Sequence, residues 1–216
     1  MVRLILSQTT SVSVITKAGK SHPSREDGGL NCCYFTFNRN KMDSFEAINT
    51  NIDGITFLST GRYYDGINQW VAHKMKEGDS DAINYAARRM ALLLPSDAVI
   101  VPIPGHHGKA VQTLSLAQAI SNYTKLPIAD ILIGNDRESC YEAKLRNQYL
   151  SEGQIGFRCT TPLPQGKIPY LVDNVVDTGA TARAAFNALG GGIVLSYAMS
   201  DTLLEEELDV SRHYCR

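Results

Sequence analysis

Residues 170–181, YLVDNVVDTGAT, pass from an apolar stretch through Asp173 and Asn174 into a small, hydroxyl-rich turn. A helix that starts at such a turn presents unsatisfied N–H groups and the positive end of its dipole. Thr178, Gly179, Ala180 and Thr181 therefore suit the wrapping of a phosphate with backbone donors and two hydroxyls. Gly179 lets the backbone approach closely. Asp173 has acceptors only, so it can take hydrogen bonds from sugar hydroxyls or help hold a divalent cation. Ordinary helix capping accounts for Asp177 or Thr178. It does not account for a second polar pair inside an apolar strand, where an unpaired carboxylate is costly.

A second candidate is PIPGHHGK, residues 102–109. Gly105 and Gly108 permit backbone geometries that turn N–H groups toward an anion, and Lys109 adds a charge near a helix start. The stretch is not a P-loop, because Ile103 and Ala110 break that pattern. His106 and His107 are adjacent and poorly disposed to share one metal, so contact with an anion or with solvent is the expected role. A long polar interval, residues 134–154, carries Arg137, Lys144 and Arg146, which equally suit a solvated helix face. Tyr63, Tyr64 and Trp70 precede the core; an aromatic there can stack on a flat ring, but packing against the sheet is the default.

The elements that must position these residues alternate from about residue 80 onward. The stretch 80–94 has helical spacing through Ile83, Ala86 or Ala87, Met90 and Leu94, with Ser80 or Asp81 as its cap. An apolar strand follows at 98–103, then a helix with Val111, Leu114, Ala117 and Ile120 on one face, and a strand at 128–133. KIPYLVDNVV, residues 167–176, reads as a strand, whose Tyr170–Val172 stretch delivers Asp173 and Asn174 to its carboxyl end. A helix closed by Gly190–Gly192 and a last strand at 193–200 complete the series. Continuous apolar strands separated by amphipathic helices predict an α/β fold with an open parallel sheet flanked by helices, whose ligands settle at the carboxyl ends of strands. Residues 1–60 have strand character in LILSQTTSVSVIT, NCCYFTFNR and DGITFLS, and predict an antiparallel cap or sheet extension. The expected division is residues 1–60 and 61–216.

Bulk properties exclude several classes. The 216 residues carry 21 basic and 22 acidic side chains, which leaves no positive excess for nucleic acid. No apolar run approaches a membrane span, and residues 1–6 are too short for a signal peptide, so a cytoplasmic protein is expected. Cys32, Cys33, Cys140, Cys159 and Cys215 show no CxxC spacing, which argues against a zinc site or a disulfide framework.

The stretch YLVDNVVDTGAT resembles the phosphoribosyl pyrophosphate (PRPP) motif of type I phosphoribosyltransferases: an apolar strand, two acidic residues, two apolar residues and a Thr-Gly-x-Thr turn. Upstream, YYDGINQWVAHKMKEGD and VIVPIP resemble ComF-like members of that group. The resemblance implies transfer of ribose 5-phosphate from PRPP to a nitrogenous base, a purine being favoured. It places Asp173 and Asn174 at the ribose hydroxyls, residues 177–181 at the 5′-phosphate, and Gly105, His106, His107, Gly108 and Lys109 at pyrophosphate. Mg²⁺ would be held with the help of Asp173. Arg137, Lys144 and Arg146 would lie in a loop that closes over the leaving group, and Asp177 would be the general base. Homodimers are common in the group. One departure stands out: Asn174 replaces the usual second acidic residue and brings no charge. A PRPP- or nucleotide-binding regulatory module without turnover is the alternative.

Overall fold

The computed structural model describes residues 13–14, 35–36, 46–148 and 150–204. The N-terminal strand expectations are met in part there. Ser13–Val14 (β1) and Phe35–Thr36 (β2) are short antiparallel pieces, and Glu46–Ile52 (β3) pairs antiparallel with Ile55–Ser59 (β4). β3 was not expected, because EAINTNI mixes polar and apolar residues in a way that hides its buried Ala47, Ile48 and Ile52. The tight turn between these strands holds Asp53 and Gly54 at φ 53° and 80°, the left-handed pair that a two-residue hairpin requires.

Asn68–Lys76 (α1) ends where Gly78, at φ 81°, returns its N–H to the Met75 carbonyl. Ser80–Ala91 (α2) is capped by Asp79, whose carboxylate accepts from the Asp81 and Ala82 N–H groups at 3.0 and 2.9 Å. The cap therefore lies one residue before the expected Ser80 or Asp81. Ala98–Pro102 (β5) is buried along its whole length, as a strand covered on both faces must be. In Val111–Thr124 (α3) the core stripe is Thr113, Leu116, Ala117 and Ile120. Val111, expected on that face, is 68% exposed because it stands at the first turn, beyond the edge of the sheet layer.

The strand expected at 128–133 is divided. Ile128 makes a single parallel bridge to Ile100, with Ala129 donating to the Ile100 carbonyl; the chain then leaves the sheet, and Leu132–Ile133 (β6) pairs with Arg158–Cys159 (β7). Two short helices, Cys140–Leu145 (α4) and Glu152–Ile155 (α5), each open on a reciprocal capping box, Ser139 with Glu142 and Ser151 with Gln154. Ile168–Val176 (β8), Ala180–Leu189 (α6) and Ile193–Met199 (β9) follow.

The sheet order is β1-β2-β3-β4-β9-β8-β5, and β4, β9, β8 and β5 run parallel. Helices cover both faces, so the open α/β architecture expected from the sequence is the one observed. One core packs α1, α2 and α3 onto the sheet through Met75, Met90, Leu116, Ile120 and Tyr197. The other packs α6 through Phe57, Leu171, Ala185 and Leu203. Burying this apolar surface contributes about 25 cal/mol per Å².

Candidate active site

The site forms where β8 hands over to α6. β8 runs through Asp173 and Asn174 to Val176, ending where the expected strand KIPYLVDNVV ends; its ladder with β9 sets Asp173 opposite Ser196 and Val175 opposite Ala198. Asp173 lines a cleft of about 630 Å³ together with Asp177, Thr178, Gly179, Ala180 and Thr181. Asn174 does not line it. That residue is 6% exposed, and its Oδ1 is buried without a hydrogen-bond partner. The expectation that Asp173 and Asn174 meet the same ligand is therefore corrected: the strand brings Asp173 alone to the cleft.

Gly179, at φ 78°, is the residue that turns the strand into the helix. A Cβ there would approach Arg183 Nη1 to 2.9 Å and Leu203 Cδ1 to 3.1 Å. The cap position of α6 is Gly179, which has no side chain to offer, and Thr178 Oγ1 accepts from the Ala180 N–H at 3.5 Å, the long limit of a hydrogen bond. The first N–H groups of the helix are left beside the cleft, the arrangement that receives an anion. The carbonyl of Thr178 is held by Arg183 Nη1 at 2.7 Å, and Arg183 Nη2 reaches Asp53 of the β3–β4 turn at 3.3 Å.

Burial pushes the Asp173 carboxyl up to about 6; the Asn174 N–H that it accepts at 2.7 Å, and the charges of Lys76 and Arg137, act in the opposite direction. Asp177 is paired with Lys144 of α4, Oδ2 to Nζ at 2.7 Å. The Lys144 ammonium, expected near the leaving group, thus holds the carboxylate expected to act as a base. Arg137 donates to the Glu138 carbonyl at 3.0 Å and approaches Cys140 Sγ at 3.7 Å, and Arg146 is paired with Glu138. Cys140 Sγ lies 3.4 Å from Thr181 Oγ1 at the cleft wall.

The 105–109 turn does not line this cleft. The Gly105 N–H donates to the Lys109 carbonyl and the Gly108 N–H to the Gly105 carbonyl, so neither is turned toward an anion as expected. Gly108 is required for another reason: at φ 72°, a Cβ would stand 2.3 Å from the Gly134 carbonyl oxygen. His107 Nδ1 meets Asp136 at 3.0 Å, and the His106 and His107 rings lie 4.0 Å apart. Among the described residues no group of three His, Cys, Asp or Glu side chains converges to hold a metal. Among the same residues, no helix is long and apolar enough to cross a membrane.

Sequence reasoning overlooked the part of the cleft lining that α1 supplies. Gln69, His73 and Lys76 of α1 form it, and their i, i+4, i+7 spacing in QWVAHKMK is the signal that could have found them. α1 is pinned by Asn68, which donates to the Arg62 carbonyl at 2.8 Å and accepts from the Tyr197 hydroxyl at 2.9 Å and from Arg89 at 3.3 Å. Burial pushes that hydroxyl far above its ordinary range. Tyr64 and Trp70 are 65% and 60% exposed rather than packed on the sheet. Tyr64 lines the cleft and Trp70 does not.

No family model matches the chain, and no curated protein matches it in sequence. Among solved structures, the chain is similar to the allosteric regulatory enzyme of purine biosynthesis, at 18% identity and a TM-score of 0.35. The match covers 74% of this chain and 28% of that one, and at this level it carries no functional argument.

Proposed function

We propose that the cleft binds PRPP and transfers its ribose 5-phosphate to a nitrogenous base with release of pyrophosphate. One observation carries the reading: a partly desolvated carboxylate, Asp173, shares a cleft with an uncapped helix start whose turn is built from Thr178, Gly179, Ala180 and Thr181. Transfer at the anomeric carbon passes through a cation-like sugar, so positive charge on the ring and negative charge on the leaving group must be stabilised together. Asp173 would face the ring, the turn would hold the 5′-phosphate, and Lys144 would move from Asp177 toward the departing pyrophosphate. Asp177, once released, would take the proton from the base.

Mg²⁺ fits as an ion carried by the pyrophosphate, since Asp173 is the one carboxylate that β8 supplies to the cleft and Asn174 is buried. The ion would neutralise charge on the leaving group.

A second reading, a module that binds PRPP or a nucleotide without turnover, is favoured by the engagement of Asp177 with Lys144 at 2.7 Å. Incubation with PRPP, Mg²⁺ and a panel of bases separates the two. Pyrophosphate release with one base supports transfer, and tight PRPP binding without release supports the module. No binding of PRPP removes both.

A further inference from the structure

The α1 side of the cleft carries an exposed aromatic and an exposed amide. Tyr64 lies at its rim with most of the side chain open, an arrangement that leaves an aromatic face unsatisfied in the free protein. Its neighbour Tyr63 meets it edge to face, with ring centroids 5.0 Å apart at 79°. The Tyr63 hydroxyl is in turn 3.2 Å from His73 Nε2, so the aromatic pair and the imidazole brace one another. Gln69 stands one helical turn before His73 on the same exposed face of α1, and its amide both donates and accepts. The anchoring of Asn68 by Arg62, Arg89 and Tyr197 fixes the helix that presents this face.

We infer that Tyr64, Gln69 and His73 form the recognition face for a planar heteroaromatic ring, Tyr64 by stacking and Gln69 by reading a donor–acceptor edge. The inference rests on the proposed function in that the ring is the acceptor base, which takes the ribose 5-phosphate of PRPP lying against Asp173 and the 177–181 turn. What separates Tyr64 from the other exposed aromatics is this shared cleft. Trp70 and Tyr123 open onto a different groove, on the outer side of α1 and α2. Chemically, the two walls divide the work: a carboxylate and main-chain N–H groups take the polar, charged half of a nucleotide, and an aromatic with an amide takes the flat half.

The test is calorimetric titration of the full chain with ribose 5-phosphate, with adenosine and uridine 5′-monophosphates, and with the two nucleosides, repeated on Tyr64→Leu and Gln69→Leu. Both side chains are exposed, so neither change removes core packing. At least one nucleoside monophosphate should bind about tenfold tighter than ribose 5-phosphate, the advantage that one stacked base provides. Tyr64→Leu should erase most of that advantage while leaving ribose 5-phosphate affinity within about twofold. Gln69→Leu should narrow the difference between the adenine and uracil ligands. Equal affinities for ribose 5-phosphate and both monophosphates, or an advantage that survives Tyr64→Leu, would overturn the inference. If ribose 5-phosphate fails to bind while a nucleoside binds in a Tyr64-dependent manner, the phosphate assignment falls and the ring face stands. If no nucleoside or nucleotide binds, the ring face falls as well.

Discussion

Arg183 donates from Nη1 to the carbonyl oxygen of Thr178 at 2.7 Å, and so fastens the turn before α6 to the first turn of that helix. The same guanidinium occupies the space a Cβ at Gly179 would need, and its other nitrogen reaches Asp53. In the proposed function Arg183 would be a positioning residue, acting on the 5′-phosphate through the main chain it holds. Arg183→Met should weaken binding of ribose 5-phosphate by about tenfold, the scale of one lost charge-assisted hydrogen bond. Arg183→Lys should recover part of that loss, and Asp53→Ala should cost only a few-fold. Titration calorimetry alongside a urea unfolding curve checks this, since a purely structural role would move the unfolding midpoint and leave affinity intact.

Asp173 makes a pH-dependent contribution whose sign follows from its raised value. Its carboxyl titrates near 6 in the folded chain and near 3.9 in the unfolded one, so the folded state holds the proton more tightly. The favourable contribution is therefore complete below about pH 4 and is lost as pH rises through 6. Asp173→Asn should stabilise the protein by about 1–3 kcal/mol at pH 7.5 and by almost nothing at pH 4. Urea midpoints at the two pH values measure it. Equal stabilisation at both would contradict an ionised, desolvated carboxylate.

Asn174→Asp tests the neighbouring position. The residue is buried and its Oδ1 has no partner, so an introduced carboxylate would lose solvation without gaining a cation. A loss of about 2–4 kcal/mol at pH 8, shrinking in acid, is expected. Pyrophosphate release should fall or stay unchanged. A gain in turnover would mean that the side chain reaches the sugar after all.

The two cleft aspartates should separate by readout. Asp173→Ala should weaken PRPP binding more than Asp177→Ala, whereas Asp177→Ala should chiefly lower turnover. Lys144→Gln, by freeing Asp177 and removing a cation from the wall, should weaken PRPP binding about fivefold in low salt and less at high ionic strength, as expected for a half-exposed pair. Affinity and single-turnover rates on the same variants distinguish these outcomes.

The handover from β8 to α6 was legible because two strong local signals coincide, an apolar run and a turn rich in glycine and hydroxyls. α2, β5 and β9 were legible for the same reason, each having one clear period. β3 was not. The pairing with β4 that buries Ile48 and Ile52 is not encoded by any local preference of EAINTNI. The backbone geometry of the 105–109 turn was not legible, because glycine signals unusual backbone geometry without saying what it serves; here Gly108 serves the close passage of Gly134. The α1 lining escaped notice because Gln69, His73 and Lys76 look like any solvated stripe until the fold sets them in one cleft with Asp173.

The position of β4 has a consequence for dissecting the molecule. That strand lies between β3 and β9, and Phe57 within it is wholly buried. A fragment beginning at residue 61 would bare the flank of β9 from Ile193 to Ser196, leaving main-chain donors and acceptors ready to recruit a strand from another chain. It would also lack Asp53, and with it the far end of the brace on Thr178. β3 and β4 are thus a seam of the α/β body, and cutting the polypeptide after them trades a paired strand for a sticky edge.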